Sequence, residues 1–321
     1  MIPTKRIQLN SAAAEEEVAS RLARGELVAV PTETVYGLAA DAANGAAVAR
    51  IFEAKGRPRF NPLILHVVGC AMAERYARID DVAARLMERF WPGPLTLVLP
   101  VVEGSNIHPL ALAGLDTVAL RAPRGALQHI LALLDRPVAA PSANASGRVS
   151  PTTADHVLRT LNGRIDAVAD GGPAVFGLES TIVRPLADRI VLLRPGSVTP
   201  AELEEAADLP VVRNTDAAIT APGQLASHYA PHGRVRLNAE EPKDGEHFIA
   251  FGPLAQPASS RAAAIFQLSE TGDLREAAAR LFTALSSFDA PEIERIAVAP
   301  IPSEGLGEAI NDRLARAAAE R

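Results

Sequence analysis

Short apolar runs alternate with amphipathic helical patterns along most of this chain. Segments such as EEEVASRLARG and AAVARIFEAKG repeat their apolar residues at helical spacing, whereas ELVAV and PLILHVV are short apolar runs typical of buried strands. The same alternation continues through DDVAARLMERFW, LTLVLPVV, DTVALRAP, GALQHILALLD and PVAAPSA. A chain that alternates in this way is predicted to form an α/β fold, in which helices flank a sheet.

Residues 180–196, STIVRPLADRIVLLRPG, contain two β-rich runs around Leu186, Ala187 and Asp188. We interpret this segment as a hairpin, which places antiparallel neighbours in the sheet. The predicted fold is therefore α/β with a large twisted mixed β-sheet and flanking helices, rather than a purely parallel sheet.

The length of 321 residues leaves room for a large domain and a small one. We predict a catalytic domain over residues 1–207, a linker over 208–232 where the periodic pattern stops, and a small C-terminal α/β domain of Rossmann-like type over 233–321. A linker of about 25 residues is long enough to suggest a function, and we interpret it as a candidate active-site lid.

Charge and composition restrict the class of partner. The net charge is −6, from 32 basic and 38 acidic residues, which argues against a broad nucleic-acid-binding face. The single cysteine, Cys70, excludes an intramolecular disulfide and a cysteine-based metal cage. The N-terminal residues do not resemble a signal peptide, and no apolar run reaches the length of a membrane span. We expect a cytoplasmic protein with no membrane partner.

The loop in KGRPRFNPLILHV, residues 55–67, carries three cations at alternate positions, Lys55, Arg57 and Arg59. Guanidinium and ammonium groups both suit phosphate oxygens, so the three side chains form a candidate polyphosphate clamp. The alternative, a solvated basic loop, is equally consistent with this spacing. His66 and Asn61 extend the segment, although a single histidine in an apolar run is more often a core residue.

The segment AAPSANASGRVSPTTADHV, residues 139–157, is a run of small residues between a predicted strand and a predicted helix. Small side chains let a backbone approach a ligand, and a helix that opens at Ser150 and Pro151 offers unpaired N–H groups to an anion. The alternative, in which Ser150 only caps the helix, is slightly favoured by the sequence alone.

Two arginines, Arg121 and Arg194, stand at the ends of predicted strands, each directly or closely followed by a proline. The polar candidates thus all lie at strand ends, where open α/β sheets bind ligands. The chain contains no G-x-S-x-G elbow, Walker A loop, H-E-x-x-H, C-x-x-C or G-x-G-x-x-G, so serine-hydrolase, P-loop, zinc and dinucleotide-binding interpretations lose their usual support.

These motifs resemble the YrdC family, and specifically the long two-domain threonylcarbamoyl-AMP synthases. The segments that carry the resemblance occur in family order between about residue 25 and residue 232: PTETVYGLAADA, KGRPRFNPLILHV, FWPGPLTLVLP, GLDTVALRAP, PSANASGRVSPT, GLESTIV, LLRPG and PGQLASHYAP. The resemblance implies a nucleotidyltransferase that condenses L-threonine, bicarbonate or CO2, and ATP to threonylcarbamoyl-AMP and pyrophosphate. The product supplies a downstream tRNA threonylcarbamoyl-transferase complex, which modifies an adenosine beside the anticodon.

The resemblance also implies roles for individual residues. It assigns ATP binding to Lys55, Arg57, Asn61, Thr117, Ser142, Ser150, Arg194 and Tyr229. It assigns threonine binding to Thr34, His66, Arg121, Ala140 and Ser180, and catalytic roles to Lys55, Arg57, Ser142 and Asn144. Such chemistry needs two anions held in place and charge on phosphoryl oxygens stabilised, with Mg2+ carried on the ATP phosphates and no protein metal site.

Within the linker, His228 and Tyr229 are the residues that we expect to close over the nucleotide. Many family members have a more basic and aromatic stretch just before this point, where this chain has Gln224 to Ser227. At the opposite wall, we expect Thr34 to contact threonine, Thr32 and Glu33 to shape the turn, and Tyr36 and Gly37 to line the pocket.

Two other functions are less consistent with the sequence. A carbamoyl-adenylating hydrogenase-maturation factor would be expected to carry zinc-finger-like and acylphosphatase-like modules, which this sequence does not contain. A double-stranded RNA-binding module is disfavoured by the net charge of −6 and by the lack of strands that combine aromatic and basic residues.

Overall fold

A computed structural model describes residues 3–215, 221–223, 227–254 and 261–320. Its strands are β1 Lys5–Gln8, β2 Val28–Val30, β3 Gly37–Asp41, β4 Ile64–His66, β5 Leu95–Pro100, β6 Thr117–Arg121, β7 Val138–Ala139, β8 Ala167–Asp170, β9 Thr181–Pro185, β10 Ile190–Arg194, β11 Val211–Arg213, β12 Arg234–Arg236, β13 His247–Ala250, β14 Ala264–Gln267 and β15 Arg295–Val298. Its helices are α1 Ala12–Ala23, α2 Gly45–Lys55, α3 Cys70–Ala73, α4 Asp81–Phe90, α5 Pro109–Leu112, α6 Ala126–Leu134, α7 Ala154–Leu161, α8 Pro200–Ala207, α9 Leu274–Ser287 and α10 Leu306–Ala318.

The larger sheet has eleven strands in the order β1-β8-β2-β3-β7-β4-β6-β5-β9-β10-β11. Strand β4 runs parallel to β6, whereas β5 runs antiparallel to β6 and β3 antiparallel to β2, so the sheet is mixed. The predicted hairpin is present, because β9 and β10 pair antiparallel. The predicted fold class is confirmed.

Four strands of this sheet were not predicted, namely β1, β3, β8 and β11. Strand β3 has the sequence GLAAD, whose glycine and alanines have low strand propensity, yet all five residues are buried between β2 and β7. Here tertiary pairing overrides local propensity. Strand β11 lies inside the predicted linker and pairs parallel with β10, so the sheet continues beyond residue 207.

The smaller sheet has four strands in the order β12-β15-β13-β14, and all three pairings are parallel. Helices α9 and α10 accompany it, and each has an apolar buried side, in α9 around Leu281 and Phe282 and in α10 around Ile310 and Leu314. This is the Rossmann-like C-terminal domain expected from the sequence.

Apolar packing joins the two sheets. The core of the C-terminal domain also contains Val35, Val149, Leu178 and Tyr229, which belong to loops at the edge of the large sheet. The C-terminal domain therefore packs directly on those loops. No helix in the described part of the chain is long and apolar enough to cross a membrane.

Candidate active site

The loops that follow the strands of the large sheet surround one small cavity. Its volume is about 50 Å³, and it is partly open to solvent. The lining includes Thr32, Thr34, Val35, Gly37, Arg57, Ile64, His66, Arg121, Ala140, Pro141, Ser142, Glu179, Ser180, Arg194, Pro222, Gly223, His228 and Tyr229. Ten of the residues assigned from the sequence thus meet at one place: Thr34, Arg57, His66, Arg121, Ala140, Ser142, Ser180, Arg194, His228 and Tyr229.

Arg121, at the end of β6, organises one side of the cavity. Its Nη1 donates to Thr34 Oγ1 at 2.9 Å, and its Nε donates to the Gly93 carbonyl at 3.1 Å. Its Nη2 lies 2.8 Å from Glu33 Oε2, and both side chains of this ion pair are less than a tenth exposed. The guanidinium is thus held from three directions while one face remains on the cavity.

The turn from Thr32 to Thr34 is shaped by one hydroxyl. Thr32 Oγ1 donates to the Val35 carbonyl at 2.7 Å and accepts from the backbone N–H groups of Thr34 and Val35 at 3.2 Å each. Glu33 was expected only to shape this turn, but its carboxylate instead pairs with Arg121. Its role was missed because the partner lies 88 residues away in sequence.

Gly37 lines the cavity as predicted, and an added Cβ there would lie 3.2 Å from Ala140 Cβ. Tyr36 does not, among the residues described. Its hydroxyl donates to the Gly172 carbonyl at 2.6 Å and accepts from the Gly171 N–H at 3.3 Å. The ring therefore anchors the turn to a neighbouring loop, and the prediction that Tyr36 forms a wall is wrong.

His66, the last residue of β4, is buried and faces the cavity. Burial, and then the charge of the nearby Arg121, lowers the pKa of its imidazole to about 3. The ring is therefore neutral at neutral pH. Its Nδ1 has no hydrogen-bond partner among the described residues, so a polar atom of a ligand can meet it.

The three cations of the KGRPRF loop separate in the structure. Arg57 is buried on the cavity wall, where its Nη2 donates to the Pro62 carbonyl at 2.8 Å and its Nε to the Asn61 carbonyl at 3.3 Å. Burial, and then the charge of Arg194, lowers the pKa of Arg57 to about 10, so it stays protonated near neutral pH. Arg59 is exposed and does not join the clamp.

Lys55 lies behind the wall. Its Nζ donates to the carbonyls of Ser142 and Asn144, and burial followed by the charge of Arg57 lowers its pKa well below the usual value. Gly56, with φ of 61°, ends α2 and turns the chain toward Arg57. In this structure the lysine therefore holds the loop of residues 142–144 in place.

Arg194, the last residue of β10, also lines the cavity. Its Nη2 donates to the Ser180 carbonyl at 2.9 Å and to Ser180 Oγ at 3.2 Å. Ser180 Oγ also lies 2.7 Å from Thr96 Oγ1, so both polar groups are fixed before any ligand arrives. Burial lowers the pKa of Arg194, although Tyr229 acts in the opposite direction.

Ser150 does not open a helix. Helix α7 begins at Ala154, and its N-cap is Thr153, whose hydroxyl accepts from the His156 N–H at 3.2 Å. Ser150 Oγ instead donates to Glu179 Oε1 at 2.5 Å. The predicted N-cap was misplaced because the buried carboxylate of Glu179 takes the Ser150 hydroxyl.

Glu179 is a site residue that the sequence analysis missed. It lines the cavity at 6% exposure, accepts from Ser150, and lies 2.8 Å through Oε2 from Nε of Arg313, a fully buried residue of α10. Burial by itself would raise the pKa of this carboxyl, but Arg313, Arg194 and the Ser150 hydrogen bond lower it to about 2. Glu179 is therefore ionised. Its GLES motif was visible in the sequence, but Arg313 carried no local signal.

Residues on both sides of positions 224–226 cover the cavity. Pro222, Gly223, His228 and Tyr229 line it, and the His228 and Tyr229 rings meet edge to face at 4.1 Å. Burial lowers the pKa of His228 to about 3 and raises that of Tyr229 to about 12. Of the variant stretch, Gln224, Leu225 and Ala226 lie outside the described residues.

Besides Lys55, four residues with roles assigned from the sequence do not line the cavity in the described part of the chain: Asn61, Thr117, Asn144 and Ser150. Ser150 is linked to the cavity wall only by its hydrogen bond to Glu179. Asn144 Nδ2 donates to the carbonyls of Ala145 and Arg148, at 2.9 and 2.8 Å, and so ties its own loop together. Thr117 begins β6 and is about 13 Å along the strand from Arg121, at about 3.3 Å per residue.

The donor set suits anions rather than a resident metal. Three arginines and one carboxylate line the cavity, and no cluster of three His, Cys, Asp or Glu able to hold a metal occurs among the described residues. The single carboxylate is already bonded to Ser150 and Arg313. Preorganised cations, hydroxyls and a neutral imidazole can bind an amino acid carboxylate and phosphates together.

Comparison with known proteins agrees with this geometry. A family model described as "Telomere recombination" matches residues 20–196, and one described as "Threonylcarbamoyl-AMP synthase, C-terminal domain" matches residues 198–319. The chain is 39% identical to a threonylcarbamoyl-AMP synthase of Bacillus subtilis over 95% of this chain and 93% of the relative. It is 41% identical to that of Pyrococcus abyssi, over 92% of each.

Among solved structures, Pyrococcus abyssi Sua5 complexed with L-threonine superposes with a TM-score of 0.87 at 36% identity. The match covers 98% of this chain and 97% of that one. The likeness therefore extends over both sheets and over the loops that surround the cavity.

Proposed function

Because this chain belongs to the family of two-domain threonylcarbamoyl-AMP synthases, we propose that it condenses L-threonine, bicarbonate or CO2, and ATP in this cavity. The chain is an enzyme that makes threonylcarbamoyl-AMP, the adenylate used to modify tRNA. The observation that carries the proposal is that Arg121, His66 and Thr34 line the same cavity as Arg57 and Arg194.

Threonine occupies the side of Arg121. Its carboxylate meets the guanidinium, which Thr34, Gly93 and Glu33 already orient. The neutral ring of His66, with Nδ1 unpaired among the described residues, meets the hydroxyl or amine. Ser180 and the Ala140 backbone complete this half of the site.

ATP occupies the side of Arg57, Arg194 and Ser142, with Tyr229 above it. Mg2+ arrives on the phosphates of ATP as part of the substrate, which fits a wall whose single carboxylate among the described residues is already paired. Lys55 and Asn144 support this half from behind by holding the loop that carries Ser142.

The reaction needs positioning more than a nucleophilic side chain. The threonine ammonium group loses a proton, and the resulting amine and bicarbonate form a carbamate with loss of water. A carbamate oxygen then attacks the α-phosphorus of ATP. The bond from that phosphorus to the β-phosphate oxygen breaks, and pyrophosphate leaves. Arg57 and Arg194 stabilise the charge that develops on the phosphoryl oxygens.

The linker acts as a lid. The cavity volume of about 50 Å³ is far below the roughly 300–1,000 Å³ of sites that hold ligands of this size, so the cover formed by Pro222, Gly223, His228 and Tyr229 moves to admit substrates. Closure excludes water, which protects the carbamate and the mixed anhydride from hydrolysis.

The product passes to a downstream tRNA threonylcarbamoyl-transferase complex in the cytoplasm. The net charge of −6 supports transfer of a small adenylate to that complex rather than strong direct binding of nucleic acid by this chain. The match of residues 198–319 to the C-terminal domain of the synthases supports this function over a hydrogenase-maturation factor.

The test is pyrophosphate release by the full chain with ATP, Mg2+, bicarbonate and L-threonine, with each component omitted in turn. We expect release to require all four, and threonylcarbamoyl-AMP to appear in equal amount. Release that is indifferent to threonine would refute the proposal.

A further inference from the structure

The C-terminal domain is built into the back of the cavity. Its core includes Val35, Val149 and Leu178, each of which neighbours a polar residue of the site in sequence: Thr34, Ser150 and Glu179. An added Cβ at Gly177 would lie 2.5 Å from Ala279 of α9, so the loop before Glu179 fits tightly against that helix. A change in the packing of the C-terminal domain can therefore displace these polar residues of the site.

One charged side chain crosses this interface into the site. Arg313 of α10 is fully buried, and each of its three guanidinium nitrogens has a partner. Nε donates to Glu179 Oε2 at 2.8 Å, Nη2 to the Pro195 carbonyl at 3.0 Å, and Nη1 to Asp312 Oδ2 at 2.6 Å. The guanidinium carbon also lies 5.5 Å from the centre of the Tyr229 ring.

The partner of Arg313 is the one carboxylate on the cavity wall among the described residues, Glu179. A buried carboxylate beside the phosphates of ATP repels them, because solvent screens like charges only weakly in a partly buried site. Glu179 is nonetheless useful, because its Oε1 fixes the hydroxyl of Ser150. The cavity wall can carry the Glu179 carboxylate without a net negative charge only if a nearby cation compensates it.

We infer that Arg313 is a positioning residue of the active site, which neutralises Glu179 and holds it against Ser150 so that the wall that receives ATP remains cationic. The inference rests on the placement of ATP proposed above. It assigns the C-terminal domain a defined part in the reaction: that domain supplies the ion-pair partner of the one carboxylate on the cavity wall among the described residues.

The test compares Arg313→Met, Glu179→Gln and the double variant. We expect Arg313→Met to raise KM for ATP by at least about tenfold, while KM for threonine changes by less than about threefold, because the uncompensated charge faces the phosphates. In the double variant no charge remains to compensate, so KM for ATP returns to within about threefold of the Glu179→Gln value. A purely structural role for Arg313 would not be relieved by removing the charge of Glu179.

Arg159→Met is the matched control. Arg159 also joins the two domains, since its Nη1 donates to the Ser286 carbonyl at 2.7 Å, but it does not line the cavity. We expect this variant to keep KM for ATP within about twofold of the unchanged protein. Thermal unfolding of every variant establishes that it is folded.

Arg313→Lys provides a second route if the methionine variant does not fold. Lysine keeps the charge, so its KM for ATP is expected to stay below that of a neutral Arg313→Gln variant. The inference is overturned if folded Arg313→Met keeps its raised KM in the double variant, or if lysine and glutamine raise KM equally. Calorimetric titration with Mg-ATP compares the affinities of the same variants for ATP without turnover. The inference about Arg313 can therefore be tested even if the unchanged protein shows no threonine-dependent release of pyrophosphate, a result that would count against the proposed function alone.

Discussion

Arg57 and Arg59 are two residues apart in one loop but have opposite surroundings. Arg57 is buried on the cavity wall and bonded to two backbone carbonyls, whereas Arg59 is exposed. The alternation in KGRPRF predicted a clamp of three cations, and the fold admits only one of them to the cavity wall. Chain direction after Gly56, rather than residue type, separates the two arginines.

This difference gives a matched pair of variants. Arg57→Ala is expected to raise KM for ATP by about 10- to 100-fold, because a charge-assisted contact to phosphate is lost, and to leave KM for threonine within about threefold. Arg59→Ala, two residues further on, should change neither by more than about twofold. Steady-state kinetics with each substrate varied would check both, and an unchanged ATP dependence in Arg57→Ala would remove this residue from the ATP site.

At the scale of elements, the segment between β7 and α7 contains two hydroxyls with different tasks. Thr153 caps α7, whereas Ser150 bonds to the buried carboxylate of Glu179. Both are hydroxyl residues near a helix start, and local sequence does not distinguish them. The position of Glu179 in the fold distinguishes them, because its carboxylate lies within reach of Ser150.

We expect Thr153→Ala to lower the free energy of unfolding by about 1 kcal/mol and to leave KM for ATP within about twofold. Ser150→Ala should instead raise KM for ATP several-fold, by about fivefold or more, because Glu179 loses the hydroxyl that it holds. Denaturant unfolding and kinetics on the same preparations separate these effects. The assignment fails if the two variants raise KM equally.

The cover of the cavity depends on a glycine. Gly223 has φ of 87°, and an added Cβ there would lie 2.7 Å from Cδ of Arg194. Gly252 has a similar φ of 78°, but an added Cβ there would meet no atom within 4 Å. Alanine at the two positions would therefore suffer similar backbone strain but only at position 223 contact Arg194.

Gly223→Ala is therefore expected to lower kcat/KM for ATP by about tenfold, since it displaces either the cover or Arg194. Gly252→Ala should cost about 1 kcal/mol of stability from the positive φ and leave kcat/KM unchanged. If both variants reduce kcat/KM to the same degree, strain rather than contact with Arg194 explains the loss.

At the scale of the whole molecule, folding buries two neutral imidazoles in the site. The pKa values of His66 and His228 are each lowered to about 3 from a usual 6.5, first of all by burial. A group whose pKa is depressed in the folded state stabilises the protein above its unfolded pKa, and this contribution is lost as the pH falls.

Burial also lowers the pKa of His156, outside the site, to about 4. Unfolding should therefore take up as many as three protons between about pH 6.5 and pH 4, which corresponds to a slope of up to about 4 kcal/mol per pH unit. Urea unfolding at several pH values between 7.5 and 5 measures this slope. His66→Gln should remove about a third of this slope, whereas substitution of the exposed His129 by Gln should not change it. A free energy of unfolding that is constant across this range would contradict the burial of neutral histidines.

Local pattern was sufficient for much of the fold. The alternation of apolar runs and helical periods predicted the α/β class, the β9–β10 hairpin and the strand ends that carry Arg121 and Arg194, because these features depend on residues close together in the chain. Strand β3 escaped prediction because its small residues are held in a strand by pairing with β2 and β7.

The sequence by itself determined which residue types gather at the ends of the strands, and its motifs indicated the family. Only the tertiary structure decided which of them meet. In that structure Arg59 is exposed, and Tyr36 bonds to a neighbouring loop. Glu33, Glu179 and Arg313 form buried ion pairs at the site. Arg313 lies 134 residues from its partner, and the attraction between two buried charges depends on distance in space, which no local pattern of residues records.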